Sequence, residues 1–198
     1  MDTQVSIMFD FKGFYDWVAG RMPNDCRICE VGVADGESAL YLAKALLSRG
    51  KDFTLYMVDN MDYGQYNQIV TIYKNIIKTG LGSFIEVIPK DSIEASKDFN
   101  DGFLDFVFLD SSHQYQETRD SIIAWWPKVK DEGVIAGHDY YLYDSVKKAV
   151  TELIPESITR NDIEGREFEP EQFLHVEQTE RGYGLFYAVK DFYKNLII

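Results

Sequence analysis

Short apolar runs alternate along this chain with longer segments in which apolar residues recur at helical spacing. The short runs predict strands at residues 27–32, 53–58, 84–88, 104–109, 133–137, 173–177 and 183–190. The longer segments predict helices at residues 36–48, 65–78, 115–126 and 144–153, and a short helix that ends near residue 99. This order predicts an α/β protein with a Rossmann-like, doubly wound, mostly parallel seven-stranded sheet and helices on both faces.

The N-terminal segment has an apolar pattern of its own. Residues 5–19 form a helical stripe rich in aromatic side chains, which ends before Gly20 and Pro23. We therefore predict a packing helix within residues 1–24 and one main domain over residues 25–198.

The first predicted strand leads into a turn that contains Gly32 and Gly36. Open α/β sheets bind nucleotides in a crevice at the carboxyl ends of such strands. Ala34 stands where the middle glycine of a dinucleotide fingerprint would be, and no P-loop sequence follows. No Lys or Arg occurs between Ile28 and Ala43, which disfavours a site built for phosphate. The turn suits an adenosine cofactor that is cationic and carries no phosphate, such as S-adenosylmethionine.

The turn E-V-G-V-A-D-G, residues 30–36, resembles motif I of class I S-adenosylmethionine-dependent methyltransferases. The resemblance implies that the cofactor contacts Glu30, Gly32, Ala34, Gly36 and Ser38. It also implies that the last strand of the sheet is antiparallel. The resemblance also gives the N-terminal helix an alternative role to packing, as a lid over the cofactor or the acceptor.

Further polar positions follow the second and third strands. Asp59 comes about 20 residues after the glycine turn, where a carboxylate accepts hydrogen bonds from ribose hydroxyls. The resemblance gives Asp59 that role and places Met61 against the adenine, with Asn60 beside it. Asp91 or Ser92 is predicted to cap the short helix, and the resemblance also makes both of them cofactor contacts.

Polar residues are dense at the ends of the fourth and fifth strands. Asp110 and His113 follow the fourth strand, and His138 and Asp139 follow the fifth. Because these ends are neighbours in a doubly wound sheet, we expect the four side chains to converge. His113 suits removal of a proton from an acceptor, and Asp110 with Asp139 suits a divalent cation such as Mg²⁺. Structural roles stay open: Asp110 as a helix cap, His113 as a surface residue, and His138 as a brace for its loop.

Two further sequences, D-S-S-H-Q-Y (residues 110–115) and G-H-D-Y (residues 137–140), indicate which branch of the methyltransferases the chain resembles. They resemble the methyltransferase branch of macrolide-sugar O-methyltransferases and cephalosporin-hydroxylase-like proteins. That branch implies metal ligands at Asp110, His138 and Asp139, and catalytic roles for His113 and Asp110, with Asp110 also beside the cofactor. Because His138 stands where a carboxylate would be the harder ligand, the metal preference shifts from Mg²⁺ towards Mn²⁺.

Composition and charge limit the kinds of molecule that we expect the protein to bind. The chain has 33 acidic residues against 20 basic ones and a formal net charge of -13, so it lacks the positive footprint of a nucleic-acid-binding protein. We expect a small-molecule acceptor, no nucleic acid and no membrane, with a homo-oligomer through the aromatic-rich terminal segments left open. Cys26 and Cys29 without a secretory signal predict reduced thiols in a cytoplasmic protein.

Together these patterns predict S-adenosylmethionine-dependent O-methylation of a small hydroxylated acceptor such as a sugar or glycoside. Two alternatives remain open. One is N-methylation of a small molecule, which needs neither a metal nor a strong base. The other is a non-catalytic, methyltransferase-like binding or scaffold protein.

Overall fold

The computed structural model describes residues 9–62, 67–154, 157–158, 171–172, 174–179 and 182–190. Its α-helices are α1 (Lys12–Arg21), α2 (Glu37–Ser48), α3 (Gln68–Thr79), α4 (Ser92–Ser96), α5 (Tyr115–Trp125) and α6 (Asp144–Leu153). Its strands are β1 (Cys26–Val31), β2 (Phe53–Asp59), β3 (Ile85–Pro89), β4 (Leu104–Leu109), β5 (Val129–Gly137), β6 (Ser157–Ile158), β7 (Glu171–Gln172), β8 (Leu174–Glu177) and β9 (Leu185–Val189). Single 3₁₀ turns lie at Gly82–Phe84 and Trp126–Lys128.

Seven strands form one sheet in the order β3-β2-β1-β4-β5-β9-β8. The pairs from β3 to β5 are parallel, while β9 runs antiparallel to both β5 and β8. The predicted α/β architecture with an antiparallel last strand is therefore confirmed. In the register of the sheet, Val31 of β1 pairs with Val58 of β2 and with Leu109 of β4. The carboxyl ends of these three strands are thus level with one another.

The central strand β4 is buried along its whole length, and its side chains divide the core into two layers. Phe106 and Phe108 point to the layer that α1 and α2 cover. Val107 and Leu109 point to the opposite layer, which α5 and α6 cover. This alternation is what a strand with helices on both faces requires, and it explains why residues 104–109 form a near-continuous apolar run, interrupted only by Asp105.

The structure differs from the predicted elements at both ends of α1, at the end of α4 and at the start of β5. Helix α1 continues through Gly20 to Arg21, which corrects its predicted end before Gly20, and α4 ends at Ser96 rather than near residue 99. The N-terminal helix begins at Lys12 rather than at residue 5, because Phe9 and Phe11 pack against each other edge to face ahead of the helix. Strand β5 begins at Val129 rather than at residue 133, because Val129 already pairs with Leu104 before an irregularity in the register.

Some predicted segments fall outside the described residues. These are residues 5–8 of the predicted N-terminal helix, residues 65–66 at the start of the third helix, most of the irregular stretch 155–172, and the C-terminal segment. Among the helices that the structure describes, none is both long enough and apolar enough to cross a membrane.

Candidate functional site

The candidate site lies where β1 and β4 are neighbours, which is the point where the order of the strands reverses. The chain runs outward from β1 through β2 to β3, and then crosses back to begin the other half of the sheet with β4. Open α/β sheets bind ligands at such a switch point, outside the carboxyl ends of the strands. The glycine turn follows β1, and the D-S-S-H sequence follows β4, so both lie at this crevice.

Gly32 allows the ends of β1 and β4 to approach closely. Its φ of +86° lies in the left-handed region, and its N–H donates to the carbonyl of Val58 at 2.8 Å. A Cβ atom at this position would lie only 2.2 Å from the carbonyl oxygen of Asp110. The first glycine of the motif is therefore required by backbone packing as well as by its conformation.

Asp59 holds the glycine turn in place from the end of β2. Its Oδ2 accepts the N–H groups of Val33 at 2.9 Å and Ala34 at 3.2 Å, and its Oδ1 accepts the N–H of Met61 at 2.8 Å. Ala34 and Met61 both adopt positive φ, at 45° and 63°. Such conformations carry strain and persist where surrounding bonds fix them, and the Asp59 carboxylate provides those bonds.

Glu30 is buried beneath the turn, and both of its carboxylate oxygens bond to side chains. Oε2 accepts the hydroxyl of Tyr15 in α1 at 2.7 Å, and Oε1 accepts the hydroxyl of Ser38 in α2. Burial raises the pKa of Glu30 to about 7, although these two hydrogen bonds favour its charged form. Glu30 therefore links α1 and α2 to β1, and Tyr15 is a member of the site that no local sequence pattern indicated.

His113 and Asp139 form the closest pair of titratable side chains at the crevice. Nε2 of His113 lies 2.7 Å from Oδ2 of Asp139, and the imidazole stacks on the ring of Tyr143 at a centroid distance of 4.3 Å. The hydrogen bond with Asp139 raises the pKa of His113, against the effect of burial. The side chain of His113 is 44% exposed, whereas that of Asp139 is only 9% exposed. The pair thus has a buried carboxylate and an imidazole that solvent reaches.

Asp139 itself is held in an uncommon backbone conformation, with φ at +64°. Burial favours its neutral form, but hydrogen bonds from His113 and His138 outweigh that effect and lower its pKa to about 2. The N–H groups of Leu142 and Tyr143 both donate to the Asp139 carbonyl at 3.1 Å, so the turn after β5 closes on this residue.

Asp110 completes the group at the end of β4. Burial raises the pKa of this half-buried carboxylate to about 8; the charge of Asp139 adds to that shift and His138 opposes it. One ligand atom from each of Asp110, His113 and Asp139 lies within 4.8 Å of the other two. Three of the four residues that the sequence predicted to converge therefore meet as a potential metal-binding group.

His138 does not join this group, which corrects the ligand set expected from the sequence. Its Nε2 lies 2.9 Å from Oδ1 of Asp10, and its Nδ1 lies 3.3 Å from Oδ1 of Asp139. The ring is buried against Phe11, with centroids 4.8 Å apart. Because both nitrogens face carboxylates inside the protein, His138 braces the loop, and His113 takes its place beside Asp110 and Asp139.

The remaining predicted cofactor contacts are distributed around the edge of the crevice. Asn60 accepts the N–H of Asp62 at 3.0 Å, in an exposed turn. Asp91 caps α4 by accepting the N–H of Ile93 at 2.9 Å, as the sequence predicted. The hydroxyl of Ser92 instead bonds to Ser121 and to the indole N–H of Trp125, so it connects α4 to α5.

A family model described as a methyltransferase domain matches residues 29–140 of this chain. The match begins inside β1 and ends just after Asp139, so it spans the glycine turn, Asp59, Asp110 and His113. The chain belongs to this family. It is an S-adenosylmethionine-dependent methyltransferase.

Solved structures share the fold of this methyltransferase at low sequence identity. The cofactor-bound protein Rv0187 from MTB is 14% identical, with 94% of this chain and 82% of that chain covered and a TM-score of 0.67. An rRNA methylase from Streptococcus thermophilus is 13% identical, with coverage of 94% and 99% and a TM-score of 0.60. A precorrin-6y C5,15-methyltransferase from Geobacter metallireducens is 15% identical, with coverage of 96% and 93% and a TM-score of 0.61. No curated protein matches the sequence significantly.

These neighbours show the fold of the methyltransferase and leave its acceptor open. One is an rRNA methylase and another is a precorrin methyltransferase, so similar architectures accept very different substrates. The acceptor of this methyltransferase must therefore be inferred from its own side chains.

Proposed function

We propose that this methyltransferase transfers a methyl group to an oxygen of a small hydroxylated acceptor, such as a sugar or glycoside. When bound, S-adenosylmethionine supplies the methyl group on a sulfonium sulfur, from which the acceptor oxygen displaces it. The observation that carries the proposal is the 2.7 Å contact between His113 Nε2 and Asp139 Oδ2 at the switch point of the sheet. An imidazole oriented by a buried carboxylate is a suitable general base for a hydroxyl group.

In this proposal His113 takes the proton of the acceptor hydroxyl. With the Nε2 hydrogen donated to Asp139, the Nδ1 lone pair of His113 remains as the proton acceptor. As the acceptor oxygen takes the methyl group that the bound cofactor would supply, the hydroxyl proton moves to Nδ1 of His113. Asp139 stabilises the imidazolium that results, because its own pKa is held near 2 and it stays charged.

The cofactor site in this proposal consists of the glycine turn and Asp59. The turn offers no basic residue for a phosphate, and the backbone carbonyl of Asp110, a half-buried acid, lies directly against Gly32. A sulfonium beside Asp110 would favour its ionised form and so lower its pKa from about 8. Asp59 is partly exposed, so its carboxylate has acceptor capacity left for ribose hydroxyls after its three bonds to the turn.

A metal ion is a separate part of the proposal. The carboxylates of Asp110 and Asp139 are hard oxygen donors that suit Mg²⁺ or Mn²⁺, and a cation there would lower the pKa of an acceptor hydroxyl. His113 Nε2 cannot bind a cation while its hydrogen is donated to Asp139. A cation would therefore rest on Asp110 and Asp139 if His113 acts as the base.

The charge of the chain supports a small acceptor over a nucleic acid. A net charge of -13 opposes the approach of phosphate backbones, and two of the acids, Asp110 and Asp139, lie at the crevice itself. Tyr143 stacks on His113, and its exposed side chain offers apolar surface on which a sugar ring or similar body can rest, next to the exposed Tyr141 and Leu142 that precede it in the chain.

The test measures transfer of labelled methyl from S-adenosylmethionine to a panel of hydroxylated and amine acceptors, with and without a chelator. We expect a hydroxylated acceptor to be methylated, and H113A to lower turnover by about 10²- to 10⁴-fold. H175Q is the matched control, because His175 lies on β8 and stacks on Tyr187. Full turnover by H113A would overturn the role of the base, and transfer to amines alone would overturn O-methylation.

A further inference from the structure

A buried carboxylate from the N-terminal segment reaches the candidate site. Asp10 lies just before α1 and is 2% exposed. Its Oδ1 is 2.9 Å from Nε2 of His138, a residue 128 positions later in the chain. A charged group is costly to bury unless a partner compensates it, and this contact supplies one.

The contact continues through two more side chains to the proposed base. Nδ1 of His138 lies 3.3 Å from Oδ1 of Asp139, and Oδ2 of Asp139 lies 2.7 Å from Nε2 of His113. The four residues thus form a row, Asp10–His138–Asp139–His113, with carboxylates and imidazoles in alternation. The row begins in the core and ends at the partly exposed ring of His113.

We propose that Asp10 is a positioning residue, which fixes the ring of His138 and through it the carboxylate of Asp139 that orients His113. The inference rests on the proposed role of His113 as the base. It adds that the segment before α1 completes the active site, although that segment supplies no group to the reacting atoms.

Each contact in the row fixes the orientation of one side chain. Phe11 packs on one side of the His138 ring and Tyr183 lies at 6.0 Å, but these contacts alone leave the ring free to adopt either of its two flipped χ2 orientations. The bond from Asp10 removes that freedom. His138 then occupies Oδ1 of Asp139, which leaves Oδ2 directed at His113.

Asp139 depends on such support because its backbone is strained. Its φ of +64° is uncommon for a residue other than glycine, and the turn after it presents the side chain at the edge of the crevice. A carboxylate held by one imidazole alone can rotate about χ2. With both oxygens engaged, it has one orientation.

The test uses imidazole NMR, which needs no acceptor. The whole chain contains three histidines, so a ¹⁵N-histidine sample gives signals from only His113, His138 and His175. We compare the wild type with D10A, which removes the bond to His138, and D10N, whose amide oxygen still accepts it. Y41F is the matched control, because it removes a hydrogen bond from Tyr41 to Asp16 of α1 and leaves His138 untouched.

We expect D10A to shift the ¹⁵N signals of both His138 and His113, while D10N and Y41F leave the His113 signals at their wild-type positions. A shift confined to His138 in D10A would overturn the proposal and leave Asp10 as a purely structural partner. An equal His113 shift in D10A and Y41F would overturn it too, because any loosening of α1 would then suffice.

A double variant tests the same row of contacts if D10A does not fold. The double variant D10L/H138F removes both polar partners together and keeps an aromatic ring against Phe11, which avoids an unpaired buried charge. Unchanged His113 signals in this variant would overturn the row. Failure of the proposed function would show differently, as wild-type turnover in H113A, and would leave these NMR shifts in place.

Discussion

The hydroxyl of Tyr15 lies 2.7 Å from Oε2 of Glu30, so helix α1 is bonded directly to the strand that leads into the glycine turn. Both residues are buried, and the remaining oxygen of Glu30 accepts the hydroxyl of Ser38 from α2. The acid of the glycine motif therefore connects two helices beneath the cofactor crevice. Its bonds make the stability of the N-terminal helix and the shape of the turn depend on each other.

Removal of the Tyr15 hydroxyl should destabilise the protein. Y15F leaves a buried carboxylate oxygen without its donor, which costs about 1 to 3 kcal/mol in the free energy of unfolding. Urea denaturation at pH 7.5 measures this loss. Y41F, which removes a more exposed hydroxyl bonded to Asp16, should cost about 0.5 kcal/mol or less. Equal costs for the two variants would contradict a special role of the bond to Glu30.

The raised pKa of Glu30 predicts how stability depends on pH. The folded protein holds the Glu30 proton up to a pKa of about 7, whereas the unfolded chain releases it near the ordinary glutamate pKa of 4.5. The stability that this proton contributes is complete below pH 4.5 and is lost as pH rises through 7. E30Q should remove this dependence, so from pH 5 to pH 8.5 the wild type should lose about 2 to 3 kcal/mol more than E30Q.

Urea denaturation of the cofactor-free proteins at the two pH values makes the comparison. Asp110 and His138 also titrate with raised pKa values in the folded state, and both variants retain them. The charge of Glu30 also raises the pKa of Asp110, so the difference between the two proteins includes this coupling as well as the titration of Glu30 itself. Parallel stability curves for wild type and E30Q would show that Glu30 does not titrate in this range.

Gly32 should tolerate no side chain. In G32A the new Cβ would meet the Asp110 carbonyl oxygen at 2.2 Å, and the left-handed φ would add strain. We expect a loss of more than about 3 kcal/mol in the free energy of unfolding. G50A is the matched control: Gly50 has a φ of +68° with nothing within 4 Å of a Cβ, so only the backbone cost of about 1 to 2 kcal/mol applies. If G32A were no worse than G50A, the close approach of β1 and β4 would be wrong.

Much of the fold could be predicted from the sequence, because buried strands and one-sided helices leave a strong pattern of apolar residues. The predicted bounds 104–109 and 144–153 coincide with β4 and α6. A fully buried strand is continuously apolar, and α6 has one apolar face, so both patterns identify their elements. The first residues of β5, by contrast, are mostly polar and exposed, and they form a strand only because Val129 pairs with Leu104.

The site could be predicted only in part. The order of the strands decides which residues lie at the crevice, but the direction of each side chain depends on packing that the sequence does not show. The sequence brought Asp110, His113 and Asp139 to one edge of the sheet. It could not show that His138 turns inward, because its partner Asp10 is 128 residues away and lies before the first described helix. Tyr15 was missed for the same reason, since a tyrosine in an apolar helical stripe gives no sign that its hydroxyl bonds to a buried acid.

The cofactor site is tested most directly by titration calorimetry with S-adenosylhomocysteine on the wild type, D59A and D35A. Asp59 both fixes the turn through Val33 and Ala34 and, in the proposal, binds the ribose, whereas Asp35 is exposed on the same turn. We predict micromolar binding by the wild type and D35A, and binding at least about tenfold weaker by D59A. Absence of binding by the folded wild type, or equal affinity in D59A, would contradict the account.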